Sequence, residues 1–168
     1  MAFFDRLRRL VPGPDPSDPF ARGTRALNRG RLDEAEAAFD EALADALRAA
    51  GGAGAPAIAA PHVATVRNKR AIVAIRRGDR ERAIAELILA LEAEPRSPAA
   101  ITTIGNLLLE DRAFDDAIAH YEHAILIDEA YAPAHHNLGV ALHRTGRRGE
   151  AVRHLRKATR LEGRMKRR

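Results

Sequence analysis

The sequence predicts an all-α solenoid of about four helical hairpins, and three observations carry that prediction. Small residues recur every 34 positions: Gly139, Gly105 and Ala71 form one series, Ala151, Ala117 and Ala83 a second, and Ala158, Ala124 and Ala90 a third. Glycine falls between the two helices of a unit at Gly30, Gly78 and Gly146, where a helix C-terminus favours a left-handed residue, while Arg112 holds that place in the third unit. Aromatic residues make up only 4% of the chain and alanine is abundant, which suits a core of closely packed helices.

The elements follow in order. Asp18-Pro19 starts the first helix with an acidic cap and a proline in its first turn, and Ser97-Pro98 repeats that logic for the fifth. Helices are expected at about 19–29, 33–50, 61–77, 80–93, 98–111, 114–128, 132–145 and 148–162. A fourth copy of the small-residue series, Gly23, Ala35 and Ala42, lies 48 residues upstream of the second unit, so a 14-residue insertion separates the first unit from the rest. That insertion leaves the first unit free to stand apart, as a hinge or a groove wall. Small residues in three phases mark where helix backbones cross closely. Phe39, Leu87, Tyr121 and Leu155, each four residues after the second small residue of its unit, form the expected core ridge.

The organisation is then a segment 1–17 with a Pro-rich linker, repeats at 18–47, 64–97, 98–131 and 132–163, an insertion at 48–63 rich in Gly, Ala and Pro, and a basic tail at 164–168. The 168 residues suffice for one core. With no cysteine, disulfides, thiolate metal sites and a cysteine nucleophile are excluded. No apolar run reaches the roughly 18 residues of a membrane span, and no signal peptide is evident, so a cytoplasmic location is expected, with contact to the inner face of a membrane as the variant. Net charge is +5, but it is concentrated: from His143 onward there are eleven Arg or Lys against two Glu.

The third and fourth units, PAAITTIGNLLLEDRAFDDAIAHYEHAILIDEAY and APAHHNLGVALHRTGRRGEAVRHLRKATRLEG, resemble tetratricopeptide repeats. The marks are the 34-residue period, the Leu138-Gly139 pair, and the succession Ala151, Leu155, Ala158. Arg70 stands where the family has leucine, and His135 and Ile101 where it has an early aromatic. The resemblance implies a right-handed solenoid that binds extended peptides or partner helices on a concave face, as a non-enzymatic adaptor or scaffold. Asn106 and Asn137 stand where the family's chaperone-tail binders place asparagines that clasp a peptide backbone. The lysines of that clamp are absent, with Thr102 and Pro133 in their places. A hydrogen bond of Asn137 within the repeats is the alternative.

On the first helices, the groove residues are Asn68, Ile72 and Arg76, then Thr102, Asn106 and Leu109, then His136, Asn137, Val140, His143 and Arg144. The paired histidines of PAHHNLGVALH invite a metal reading. His136 and His143 lie two turns apart, too far for one ion, whereas His120, His123 and His154 make a conceivable surface site that competes with solvated histidines. No cofactor is expected. Only Ser17 and Ser97 are serines, both at caps, and no nucleophile, base and acid converge in the pattern, so an enzyme is not expected. AAGGAGAP lacks the lysine and hydroxyl residue of a phosphate loop.

The termini hold the competing reading, a module that meets acidic lipid or nucleic acid. Phe3, Phe4, Leu7, Leu10 and Val11 make an apolar stripe among Arg6, Arg8 and Arg9. That stripe suits a membrane surface, its own repeat stack, or a neighbouring chain, including a homo-oligomer. The C-terminal run has no aromatic for base stacking, which disfavours nucleic acid; it is expected to act as a solubilising cap, with contact to an acidic protein or lipid as the alternative.

Overall fold

A computed structural model describes residues 15, 17–51 and 59–165. Among them are eight helices: α1 Pro19–Asn28, α2 Leu32–Gly51, α3 Ala59–Arg77, α4 Arg80–Ala93, α5 Pro98–Glu110, α6 Phe114–Ile127, α7 Ala132–Arg144 and α8 Arg148–Met165. Consecutive pairs form hairpins, and the hairpins stack in chain order. The predicted spans agree to within three residues at either end. The apolar stripe at 3–11 and the centre of the insertion lie outside the described residues, while α8 runs on as far as Met165.

Each hairpin turns on the same pair of backbone bonds. Gly30 N–H donates to the Leu27 carbonyl and Arg31 N–H to that of Ala26, and the pattern recurs at Gly78 and Asp79, Arg112 and Ala113, and Gly146 and Arg147. The turn residue needs a positive φ, met by three glycines at 73–81° and by Arg112 at 62°. Helix starts differ more than expected. Asp18 and Asp79 accept from the N–H groups of Ala21 and Arg82, but the buried Ser97 makes no side-chain cap bond, so Pro98 carries that start alone.

The 34-residue code is a packing code. A methyl built on Gly23 would meet Phe39 Cε1 at 2.6 Å, one on Gly105 would meet Tyr121 Cε1 at 2.6 Å, and one on Gly139 would meet Leu155 Cγ at 2.7 Å. In each case the ridge residue sixteen positions on lies against the absent side chain, so glycine and large residue form one crossing.

The first unit does not stand apart. Leu27, Phe39 and Leu43 share one buried cluster with Val63, Val66 and Val73 of α3, and Phe20 packs between Phe39 and His62 with ring centroids at 5.9 and 5.8 Å. Arg77 pairs with Asp33 and Glu36 at 2.5 and 2.8 Å, and Arg82 also pairs with Glu36. The insertion lengthens α2 and α3 and leaves the stack unbroken. Arg70, in the leucine position, reaches Glu86 at 3.0 Å and Asp40 at 3.2 Å, while Arg67 reaches Glu86 at 3.2 Å. The second unit therefore replaces part of the apolar crossing with a charged knot.

Candidate functional site: the concave face

The first helices α1, α3, α5 and α7 each touch the next first helix along the stack, whereas no two second helices approach each other. The stack is tighter on the first-helix side and curves toward it, which makes that side the concave one.

The groove residues read from the sequence meet different environments there. Asn68 and Thr102, at equivalent phases of adjacent first helices, are buried at 6% and 3% exposure, and neither Asn68 Oδ1 nor Thr102 Oγ1 has a hydrogen-bond partner. His136, at the same phase in the last unit, is exposed, as is His143. Ile72 packs against the core of the first two units, and Arg76 donates to the Leu27 carbonyl at 2.6 Å, capping the last turn of α1. These two serve the stack itself.

Asn106 and Asn137 are joined. Asn106 Oδ1 accepts from Asn137 Nδ2 at 2.7 Å and from the Tyr121 hydroxyl at 2.9 Å. Burial, and after it the Glu110 carboxylate, push the Tyr121 phenol well above its ordinary value, so it remains a donor. The carbonyl of Asn106 is thus saturated from within the repeats, which realises the alternative reading of Asn137 as an internal hydrogen-bonding residue.

Leu109, Val140 and Arg144 meet in one cleft of about 320 Å³ with Glu110, Arg112 and Phe114. Its floor is apolar, from Leu109, Phe114 and Val140. Its rim holds two guanidinium groups and one carboxylate. Sequence reasoning missed Phe114; its signal is an aromatic in the first turn of a second helix, where the other units carry Leu32, Arg80 and Arg148. Arg112 is strained here by its left-handed backbone. Arg112→Gly is therefore expected to raise the unfolding free energy in urea by about 1 kcal/mol, while removing a cation from the cleft.

The two adjacent histidines separate: His135, in the place of the family's early aromatic, is 3% exposed, and His136 lies in solvent. His135 stacks on His154, with centroids 5.2 Å apart and Nδ1 atoms 3.0 Å apart, and its Nε2 lies 3.1 Å from the Glu129 carbonyl. A carbonyl only accepts, so Nε2 carries the proton and the neutral His135 accepts from His154 Nδ1–H. His120 Nδ1 sits 2.9 Å from the Asp116 carbonyl. Both ties use Nδ1 and leave Nε2 of His120 and His154 unengaged by them, but among the described residues no group of three or more His, Asp or Glu is placed to hold a metal.

Stacked helical hairpins with a concave first-helix face define an α-solenoid. The family model described as a TPR repeat matches residues 105–146, and two described as a tetratricopeptide repeat match 136–161 and 20–41. The chain thus carries matches to tetratricopeptide repeats in its first, third and fourth units. No curated protein matches it in sequence. Among solved structures, the chain is similar to PilF of Pseudomonas aeruginosa, with a TM-score of 0.63 and 20% identity over 85% of this chain and 59% of that one. It is similar to MamA, with a TM-score of 0.54 and 19% identity over 87% and 97%. It also resembles the second TPR of Spaghetti (RPAP3), solved bound to an HSP90 peptide, with a TM-score of 0.53 and 22% identity over 58% and 91%. At these identities the likeness is one of fold. Among the described residues no helix is long and apolar enough to cross a membrane.

Proposed function

We propose that this chain is a non-enzymatic adaptor that holds a segment of another protein on its concave face. Tetratricopeptide repeat proteins are typically interaction scaffolds, and one structural relative was solved with a peptide bound. The observation that carries the reading is the convergence of Leu109, Val140 and Arg144 with Phe114 in one cleft. An apolar floor beside Arg112 and Arg144 suits a segment that places an apolar side chain next to a carboxylate, with Glu110 selecting against a second acid. His136 and His143, exposed along the same helix, extend the surface beyond it. Asn106 and Asn137 act through each other, keeping α5 and α7 in register beneath the bound segment.

A peptide-display selection against the full chain tests this. Selected peptides are expected to carry an apolar–acidic pair and to lose at least about tenfold in affinity, roughly 1.4 kcal/mol, on Val140→Asp, with helical circular dichroism unchanged. Peptides that bind the variant as well as the parent would remove the cleft from the function.

A further inference from the structure

Ile84 and Ile88, one turn apart on α4, are 43% and 54% exposed. With Leu91, and with Ile104 and Leu108 of α5, they line an apolar groove of about 270 Å³, one end of which is marked by the ion pair between Arg80 and Asp111. The next junction repeats the same phases without such an opening: Ile118, Leu138 and Leu142, each 34 residues after Ile84, Ile104 and Leu108, are 5%, 1% and 1% exposed. The stack is thus open at one junction and closed at the next.

We propose that residues 3–11 of this chain, FFDRLRRLV, occupy this groove. Two of the five phenylalanines lie in that stretch, in an apolar stripe of helical spacing. As a helix it measures about 13 Å at 1.5 Å per residue, against about 11 Å from Ile84 to Leu91 along α4. Arg6, Arg8 and Arg9 flank its stripe, while the exposed carboxylates of Glu81 and Glu92 flank Ile84 and Ile88 on the same face of α4. With 3–11 helical, the four residues from Val11 to Asp15 reach up to about 13 Å when extended and the helical turn from Leu7 to Val11 adds about 6 Å, which together match the two helix spacings of about 8–10 Å each between α1 and α4. The hollow on the first unit, nearer in sequence, offers no comparable seat, because Arg22, Arg25, Arg31, Glu34 and Glu41 line it.

The chain has no cysteine and no tryptophan, so both probes are clean. In the full-length double variant Leu7→Cys/Ile88→Cys, mild oxidation is expected to give an intramolecular disulfide at least about tenfold faster than in Leu7→Cys/Leu126→Cys, since tethering at about millimolar effective concentration acts in both and only docking holds the first pair together. Leu126 is 80% exposed on α6 and serves as the control. Equal rates in the two variants, or disulfide-linked dimers in the first, would overturn the proposal, the second by assigning the groove to another copy. Phe4→Trp gives an independent reading: its emission is expected to be blue-shifted in buffer and to return to the solvent value on Ile88→Asp. Emission that shifts only when phosphatidylserine vesicles are added would instead assign the segment to a membrane.

Discussion

Glu86→Leu is expected to lower the unfolding free energy by about 3 kcal/mol, more than any surface substitution in the array. Glu86 is 7% exposed and receives both Arg67 and Arg70, whose side chains are only 17% and 18% exposed. Removing the carboxylate leaves two guanidinium groups in a shell that water barely reaches, and Arg70 keeps only Asp40 at 3.2 Å. The energy lost is the desolvation of the orphaned cations rather than the worth of the bridges themselves. Following the fourth unit, which has Leu138 in the phase of Arg70, the triple variant Arg67→Ile/Arg70→Leu/Glu86→Leu is expected to recover parental stability or exceed it. Equilibrium urea unfolding of the three proteins decides the matter. A single variant within 1 kcal/mol of the parent would show that the arginines relax into solvent at no cost.

The second large effect is a loss of stability in mild acid, centred on the His135–His154 pair. Burial first, and the neighbouring cations Lys157 for His135 and His135 with Arg153 for His154, lower both imidazoles from 6.5 in the folded chain, against the opposing pull of Glu129, Glu122 and Glu150. Unfolded, both groups return to about 6.5, so below that pH the unfolded chain binds more protons than the folded one. The contribution is fully present above about pH 6.5 and declines as the pH falls below it. Geometry sharpens the effect: a first proton can enter at His154 Nε2 with the Nδ1–Nδ1 bond intact, but with His135 Nε2 committed to the Glu129 carbonyl a second proton, on His135 Nδ1, would face the Nδ1–H of His154 at 3.0 Å and cannot be accommodated in place. Thermal melts at pH 7.5 and 5.5 are expected to show a drop in the parent that shrinks in His135→Phe/His154→Leu. An equal drop in both would place the sensitivity outside this pair.

The same cross-hairpin position, residues nineteen apart, thus holds an ion pair in the second unit, Arg67 with Glu86, and a histidine stack in the fourth, Arg67 having become His135 and Glu86 His154. Neither pairing is visible along the chain, because residues nineteen apart on antiparallel helices meet only once the turn has folded. The period itself was legible, since a residue without a side chain at each crossing is a local requirement that recurs whenever the crossing does. For the same reason Arg112 stood out as the one break in a series of turn glycines.

The groove residues were legible as a list and not as a site. Periodicity assigns Arg76, Ile72, Asn106 and Val140 to one face, yet Arg76 caps α1, Ile72 enters the core, and Asn106 is saturated by Tyr121 and Asn137. Only Leu109, Val140 and Arg144 converge, joined by Phe114 from another helix. From the chain alone came the hairpins, their number, their crossings and their turns, because each depends on residues within one 34-residue unit. The stack had to decide which side chains remain available, how the first unit attaches despite its insertion, and why one junction stays open at Ile84 and Ile88. Those outcomes depend on how neighbouring units press together, and no single repeat encodes that pressure.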